Sequence, residues 1–216
     1  MGAVRSAGAI GPLAAAAGDE LGRAHAAREL ALRACRAAIQ ASGRSIRAAH
    51  RHEWAAAEEL AALAGAELGA ARGALGEHVG LAWGLLFDAE KEYAEAVLLT
   101  ALAAGRALPG HGDAGVSAPA WLNGLAEAAS ELRRHLLDVL RAGDVARAEG
   151  LFAAMEEVYG ALVTVDYPDA VTGGLRRTTD ALRAVLERTR SDLTTTVLHA
   201  RLQARIEQAL ATGELT

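Results

Sequence analysis

Apolar residues recur at helical spacing along most of this chain, with polar residues at the positions between them. Because residues at i, i+3, i+4 and i+7 share one face of a helix, this spacing predicts a series of amphipathic helices. No run shows the alternation of β-branched and polar residues that is typical of a half-buried strand. The pattern predicts six long helices, at about residues 19–50, 53–75, 79–106, 117–143, 144–166 and 173–210.

Caps and helix breakers set these boundaries. Asp19, Ser117 and Asp144 are candidate N-caps of the first, fourth and fifth helices, and Pro119 falls in the first turn of the fourth helix. The connections are short, so we expect consecutive helices to pack antiparallel. The sequence therefore predicts a single all-α domain.

Composition supports this fold class. Hydrophobic residues make up 52% of the 216 residues but aromatic residues only 4%, so alanine and leucine supply most of the apolar mass. Both residues favour helices, and this length suits one domain with a buried core. We expect a flexible N-terminal tail over residues 1–17 and one α-helical domain over residues 18–216.

The charge and the single cysteine limit where such a protein acts. A net charge of −5 argues against a protein that coats duplex DNA by charge alone, although a local basic patch is compatible with it. Cys35 lies within a helical pattern and has no partner for an internal disulfide, which predicts a buried thiol in a reducing compartment. No apolar run is long enough to span a bilayer. We expect a cytoplasmic protein with no membrane partner.

Two pairs of carboxylates are candidates for chemistry. Glu92 and Glu95 lie three residues apart on the third helix, and Glu127 and Glu131 lie four apart on the fourth. Each pair shares one side of its helix, so two neighbouring helices could direct four carboxylates at one point. Such a cluster repels itself unless a hard cation such as Mg²⁺ or Mn²⁺ neutralises it.

The two pairs differ in their surroundings. Glu92 and Glu95 are in line with apolar residues, which indicates a partly enclosed face. Glu127 and Glu131 lie opposite the apolar stripe of the fourth helix, where an ordinary solvent-facing ladder of charges is the simpler interpretation. Only another helix or another subunit packed on that face would make it part of a site.

Several motifs resemble those of one family. The chain is similar to prokaryotic members of the translin family, which includes translin and its partner Trax, over most of residues 25–205. The C-terminal motifs are the most specific of these. The resemblance rests on Ile46–Arg51, Lys91–Ala96, Gly124–Arg133, Met155–Tyr159, Asp166–Ala170, Gly174–Arg177, Asp180, Arg183, Glu187–Arg190 and Asp192–Thr194.

This resemblance implies a seven-helix α fold that assembles into a hollow homo-octamer and binds single-stranded RNA or DNA. Trax-type members are Mg²⁺-dependent endoribonucleases, and their metal ligands match Glu92, Glu95 and Glu127 of this chain. Glu131 matches the second acid of the same helix and would be a further ligand or an acceptor for a metal-bound water. Glu127 stands where the Trax pattern has aspartate. The longer side chain keeps the charge but changes the reach of the ligand.

Basic residues at two helix ends are candidates for binding RNA. Arginine makes planar, bidentate contacts with phosphate, although solvated side chains and surface ion pairs are common alternatives. Trp54, Trp83 and Trp121 are candidates for base stacking, with buried packing as the favoured alternative. For His135, a structural role is favoured over catalysis. The candidate nucleic-acid contacts are Arg44, Arg47, His50 and Arg51 at the end of the first helix, and Arg176, Arg177 and Arg183 near the start of the last.

Taken together, these patterns predict a Mg²⁺- or Mn²⁺-dependent endoribonuclease that acts on single-stranded RNA within a homo-oligomeric shell. One alternative is a translin-like protein that binds single strands of RNA or DNA without cleaving them. Another is a structural helical assembly with no nucleic-acid partner. A di-iron carboxylate bundle is disfavoured, because neither Glu92 nor Glu127 has a histidine three positions on.

Overall fold

The computed structural model describes residues 10–212, and within them the chain is helical with no β-strand. Six long helices and one short helix follow each other along the chain, which confirms the predicted all-α fold of the translin type. Their bounds are α1 (Ile10–His50), α2 (Trp54–Leu75), α3 (Trp83–Ala104), α4 (Ala118–Arg141), α5 (Val145–Leu162), α6 (Asp169–Thr172) and α7 (Leu175–Thr212), with a 3₁₀ helix (Gly76–Ala82) before α3.

The N-terminal boundary differs from the prediction. Helix α1 begins at Ile10, so Asp19 lies within the helix and is not its cap. Residues 10–17, which we expected to belong to a flexible tail, form exposed helical turns, because their alanines favour helix even without packing. Residues 1–9 of that tail lie outside the described residues.

The later boundaries follow the predicted signals more closely. Ser117 occupies the N-cap position of α4, although its side chain makes no capping hydrogen bond. The Asp144 side chain accepts a hydrogen bond from the Arg147 backbone N–H as the cap of α5. The third helix begins later than predicted, because residues 76–82 form a 3₁₀ helix. The short helix α6 was not predicted; it ends at Gly173, whose φ of 63° allows the chain to turn into α7.

Two apolar clusters form the core. The larger one surrounds α4, which contributes Leu132 and Leu136, and also includes Met155 from α5 and Leu182 from α7. The smaller cluster joins α1, α2 and α3, and Cys35 is fully buried within it, as its sequence pattern predicted. Much of this second cluster is alanine, so the long helices α1 and α2 can pack at short range.

The rest of the core places α3 next to α4, with α7 and α5 on the other sides of α4. Helix α4 is therefore the central helix of the C-terminal half, and its polar positions are partly covered by neighbours. Within residues 10–212, no helix combines the length and the apolar character needed to cross a membrane.

Candidate functional site

Helices α3 and α4 approach closely at Gly124. A Cβ atom at this position would lie 2.8 Å from the Lys91 carbonyl oxygen and 2.9 Å from the Glu95 backbone nitrogen, so only glycine fits. Residue 124 is completely within the helix, where glycine costs stability relative to alanine, and the close packing against α3 accounts for its presence. This contact brings the next turn of α4, which carries Glu127, against Glu92 and Glu95.

Three of the four predicted acids come together here. Glu92, Glu95 and Glu127 each offer a carboxylate oxygen, and these oxygens all lie within 4.8 Å of one another. We call these three residues the acidic triad. The sequence interpretation of Glu127 as part of a solvent-facing ladder is incomplete, because α3 covers that face of α4. The Glu92 and Glu127 side chains are each 31% exposed, whereas Glu95 is buried at 8% exposure.

Burial and charge both act on Glu95. Desolvation, followed by the repulsion of Glu127, Glu92 and Glu131, raises the pKa of Glu95 to about 8, although the Lys91 charge opposes the increase. A carboxyl group in these surroundings prefers its neutral form unless a cation compensates the charge. The raised pKa of Glu95 therefore reflects its burial first and the charges of the neighbouring acids second.

Lys91 contacts the acidic triad directly. Its Nζ donates a hydrogen bond to Glu127 Oε1 at 2.8 Å and lies 3.6 Å from Glu92 Oε1. Burial alone lowers the pKa of Lys91, but the hydrogen bond and the charge of Glu127, together with the neighbouring acids, outweigh that effect and leave the pKa raised. Lys91 is therefore a charged partner of the triad, a role that sequence reasoning missed. The available signal was that Lys91 is the chain's only lysine and precedes Glu92.

The fourth predicted acid, Glu131, has a different partner. His50 Nε2 at the end of α1 lies 2.9 Å from Glu131 Oε2, and the His50 side chain is only 8% exposed. Glu131 is not one of the three acids whose oxygens converge, but its charge still acts on Glu95. The structure thus places Glu131 beside the triad, in contact with α1.

Three successive turns of α4 connect the regions predicted to bind metal and RNA. Asn123 is buried and joins α4 to the last two helices, since its Nδ2 donates to the Thr172 carbonyl and its Oδ1 accepts from Thr178 Oγ1. One turn later Glu127 meets α3, and one turn after that Glu131 meets His50 of α1. The triad therefore lies along α4 between the end of α1 and the start of α7.

The predicted RNA-binding residues lie at these two helix ends. Arg51 forms an ion pair with Glu53 and Arg183 forms one with Asp180, so the ion-pair interpretation applies to both. Within residues 10–212, none of the predicted RNA-binding residues forms a hydrogen bond or ion pair with the acidic triad. His50 contacts Glu131, which lies beside the triad. The exposed residues among them are Arg44, Arg47, Arg51, Arg176, Arg177 and Arg183.

The aromatic candidates for base stacking include both buried and exposed side chains. Trp54 and Trp121 are partly buried against the main core, as the packing interpretation predicts, but Trp83 is 56% exposed. His135 is buried between His52 and Trp54, with ring centroids 4.9 Å and 5.8 Å away, and its Nε2 has no hydrogen-bond partner among residues 10–212. Its role in packing is clear, although its hydrogen bonding is incomplete.

Solved structures with the same fold are known. The crystal structure of AfC3PO is 32% identical and has a TM-score of 0.77, covering 85% of this chain and 96% of that chain. AfC3PO in complex with duplex RNA is 33% identical with a TM-score of 0.78, covering 85% of this chain and 95% of that chain. Apo-NeC3PO, at 17% identity and a TM-score of 0.77, covers 86% and 97% of the two chains and supports the fold alone.

Among curated proteins, the chain is similar to Uncharacterized protein MJ0175 from Methanocaldococcus jannaschii. The two are 29% identical over 126 residues, which is 58% of this chain and 56% of the relative. The chain therefore spans only about half the length of that archaeal protein. No family model matches the chain.

Proposed function

Because this chain belongs to the translin family, we propose that it is a metal-dependent endoribonuclease that cleaves single-stranded RNA within a homo-octameric, translin/Trax-like shell. C3PO is the translin/Trax complex, and the AfC3PO complex with duplex RNA supports an RNA-binding role for this chain. The observation that carries the proposed cleavage is the convergence of the Glu92, Glu95 and Glu127 oxygens to within 4.8 Å.

The residues present fit a hard divalent cation. Three carboxylates from two helices form an oxygen-only donor set, which suits Mg²⁺ or Mn²⁺ better than a softer metal. Glu92, Glu95 and Glu127 would hold the ion. When bound, it supplies Lewis-acid chemistry, because it neutralises phosphate charge and lowers the pKa of an attacking water.

Each acid has its own part in this proposal. Glu92 of α3 and Glu127 of α4 are partly exposed, so they would hold the ion where an RNA phosphate can reach it. The buried Glu95 would form the inner side of the site. Glu131 is held by His50 and would accept a hydrogen bond from a water close to the phosphate. Its contact with α1 also fixes the Glu131 carboxylate relative to the end of that helix.

The two basic helix ends would hold the RNA backbone on either side of the triad. Arg44, Arg47 and Arg51 are exposed on the α1 side, and Arg176 and Arg177 on the α7 side. The guanidinium group of arginine can bind two phosphate oxygens at once. Positive charge at the two helix ends would also offset the repulsion between the acidic triad and the RNA backbone. This arrangement supports an RNA strand that crosses the site from one helix end to the other.

The exposed apolar residues support assembly. Leu13 and Leu21 on α1 are 70% and 71% exposed, and Leu198, Leu202 and Leu210 near the end of α7 are each at least 57% exposed. Exposed apolar side chains on two long helices support a contact surface there. We propose that these helix ends join subunits of the octamer, and light scattering of Leu202→Glu would show smaller particles than the parent protein.

Cleavage of a labelled single-stranded RNA tests the enzymatic proposal. We expect the purified chain to cleave it with Mg²⁺ or Mn²⁺ and to stop when EDTA is added. Glu92→Gln, Glu95→Gln and Glu127→Gln should each reduce the rate by at least a hundredfold, because each removes a charged ligand but keeps the side-chain size. A duplex RNA of the same sequence should be assayed in parallel.

Glu157→Gln is the matched control, since Glu157 is an exposed acid on α5 outside the triad. It should cleave at the parent rate. Failure of the parent protein to cleave, combined with salt-sensitive binding of the same RNA, would instead establish a translin-like protein that binds without cleavage. Absence of both cleavage and binding would leave a structural assembly protein.

A further inference from the structure

Lys91 is a cation that the chain itself supplies to the acidic triad. Its Nζ lies 2.8 Å from Glu127 Oε1 and 3.6 Å from Glu92 Oε1, and its side chain is only 21% exposed. Two of the three proposed metal ligands therefore already have a positively charged partner. No arginine in the described ion pairs contacts the triad, so Lys91 is the cation among residues 10–212 that balances these acids.

We propose that Lys91 competes with the divalent cation for Glu127 and is displaced when the ion binds, an inference that rests on the metal site proposed above. The Lys91 ammonium and a divalent cation would compete for the negative charge of the Glu127 carboxylate, to which Lys91 already donates a hydrogen bond. They also repel each other, and this repulsion is strong in a partly buried site. We therefore expect the Lys91 ammonium to leave Glu127 when the ion binds.

This competition has two opposite consequences. Without metal, Lys91 stabilises the fold, because it offsets repulsion among three converging carboxylates from α3 and α4. With metal, Lys91 weakens binding, because part of the binding free energy is used to break the contact between Lys91 and Glu127. A lysine with only a structural role would have the first effect but not the second.

Lys91→Met separates the two effects, because methionine keeps much of the unbranched stem and removes the charge. Isothermal titration with Mn²⁺ should show about tenfold tighter binding, or more, for Lys91→Met than for the parent chain. Its melting temperature without metal should fall, and Mn²⁺ should raise it by more than in the parent. Lys91→Arg keeps the charge and should bind Mn²⁺ more weakly than Lys91→Met.

Arg134→Met is the matched control for net charge. Arg134 is exposed on α4, the helix that carries Glu127, and the substitution removes one positive charge without changing a contact of the triad. It should change Mn²⁺ affinity by no more than about twofold, because exposed charges are screened. Equal affinities for Lys91→Met and the parent would overturn the inference.

The parent chain offers a second measurement that needs no substitution. Since Lys91 is the only lysine, protein grown with lysine that is ¹⁵N-labelled at Nζ gives one side-chain nitrogen resonance. This resonance reports on the Lys91 ammonium group. Addition of Mg²⁺, which is diamagnetic, should shift this resonance progressively as the ammonium leaves Glu127. The shift should stop when the metal site is saturated. A resonance that stays unchanged while the ion binds would contradict displacement, even if Lys91→Met failed to fold.

Glu127→Gln distinguishes failure of this inference from failure of the proposed function. If the parent binds Mn²⁺ and Glu127→Gln does not, the metal site is present, and equal affinity of Lys91→Met then contradicts only the competition. If neither the parent nor Lys91→Met binds Mn²⁺, the proposed metal site fails as well. RNA cleavage is not needed for either conclusion.

Discussion

Gly124 of α4 lies directly against the Lys91 carbonyl oxygen of α3, at a point where a Cβ would come within 2.8 Å. Rotation of a side chain cannot relieve this contact, because the atoms on the α3 side include backbone. The local separation of α3 and α4 is therefore set by the absence of a side chain at residue 124. The same separation brings Glu127 to Glu92 and Glu95.

Gly124→Ala should push α3 and α4 apart. We expect it to lower the free energy of unfolding by about 1–3 kcal/mol, because overpacking of a close helix contact forces backbone shifts. It should also weaken Mn²⁺ binding, since the Glu127 carboxylate moves away from the two acids of α3. Chemical denaturation and calorimetric titration measure the two effects.

Gly150→Ala is the control for this substitution. Gly150 is in the interior of α5, and a Cβ there would meet no other atom within 4 Å. Alanine should increase stability there by about 0.5–1 kcal/mol, because it has a higher helix propensity than glycine. If Gly124→Ala also increased stability and kept metal affinity, the close helix contact would not set the geometry of the triad.

Glu95 should make the metal-free protein less stable as the pH rises from about 4.5 to about 8. Its pKa is raised from 4.5 to about 8, first by burial and then by the neighbouring acids, so the folded state binds the proton more tightly than the unfolded state. Stability from this group is therefore present at low pH and is lost as the pH rises from about 4.5 to about 8. Glu95→Gln cannot ionise and should avoid this loss.

Denaturation in EDTA at several pH values between 5 and 9 tests this prediction. The stability of Glu95→Gln minus that of the parent should increase as the pH rises to about 8 and then level off. Glu59→Gln, an exposed acid on α2, serves as control and should follow the parent profile. A constant difference between Glu95→Gln and the parent would show that Glu95 does not titrate in this range.

His135 should contribute acid sensitivity. Burial, followed by the charge of His52, lowers its pKa below 6.5, so the folded state favours the neutral ring. Above pH 6.5 the ring is neutral in both states, and as the pH falls below 6.5 the unfolded state binds a proton more readily and stability decreases. His135→Phe keeps an aromatic ring beside Trp54 and should reduce this loss.

Thermal melts of His135→Phe and the parent between pH 5 and 7 provide the comparison. His199→Gln on the exposed part of α7 controls for removal of a histidine and should melt like the parent at each pH. His135→Phe also removes a buried Nε2 that has no hydrogen-bond partner among residues 10–212. We therefore expect His135→Phe to lose no stability at neutral pH. Identical pH profiles for His135→Phe and the parent would disprove the assignment.

Arg176 and Arg177 should contribute to RNA affinity through phosphate contacts. The double substitution to glutamine should weaken binding of a single-stranded RNA about tenfold and reduce the dependence of log affinity on log salt by roughly one to two. Fluorescence anisotropy at several salt concentrations measures both quantities. The circular dichroism spectrum should remain that of the parent, because both side chains are exposed.

Arg188→Gln provides the comparison, since Arg188 is an exposed arginine further along α7. It should change the salt dependence much less than the double substitution. If the two variants lost affinity to the same extent, the start of α7 would have no special role, and the effect would be one of net charge.

Much of the fold could be predicted from the sequence because its boundaries depend on local chemistry. Asp144 caps α5 by accepting a hydrogen bond from the backbone N–H of Arg147, three residues further along the chain. The bounds of α2 were predicted to within one residue. The predicted start of α1 at Asp19 was wrong, because the alanine-rich segment from Ile10 continues the helix without packing. Helix α6 was missed because four residues are too few to show helical periodicity.

The candidate site was predicted only in part. The family motifs identified Glu92, Glu95 and Glu127, but periodicity placed Glu127 on a solvent-facing surface. A helix pattern reveals which residues share a face and not which other helix covers that face. The roles of Lys91 and Gly124 depend on contacts between α3 and α4 that join residues more than thirty positions apart in the chain, so helical periodicity could not predict them.

The sequence by itself determined the helical class and most helix boundaries, because these follow from interactions within a few residues, and its family motifs identified the set of acids. Only the tertiary structure decided that three of these acids converge, that Lys91 balances them and that His50 holds Glu131. The physical reason is that carboxylate repulsion, burial and hydrogen bonding between helices depend on distances of a few ångströms. Those distances are set by how α1, α3 and α4 pack.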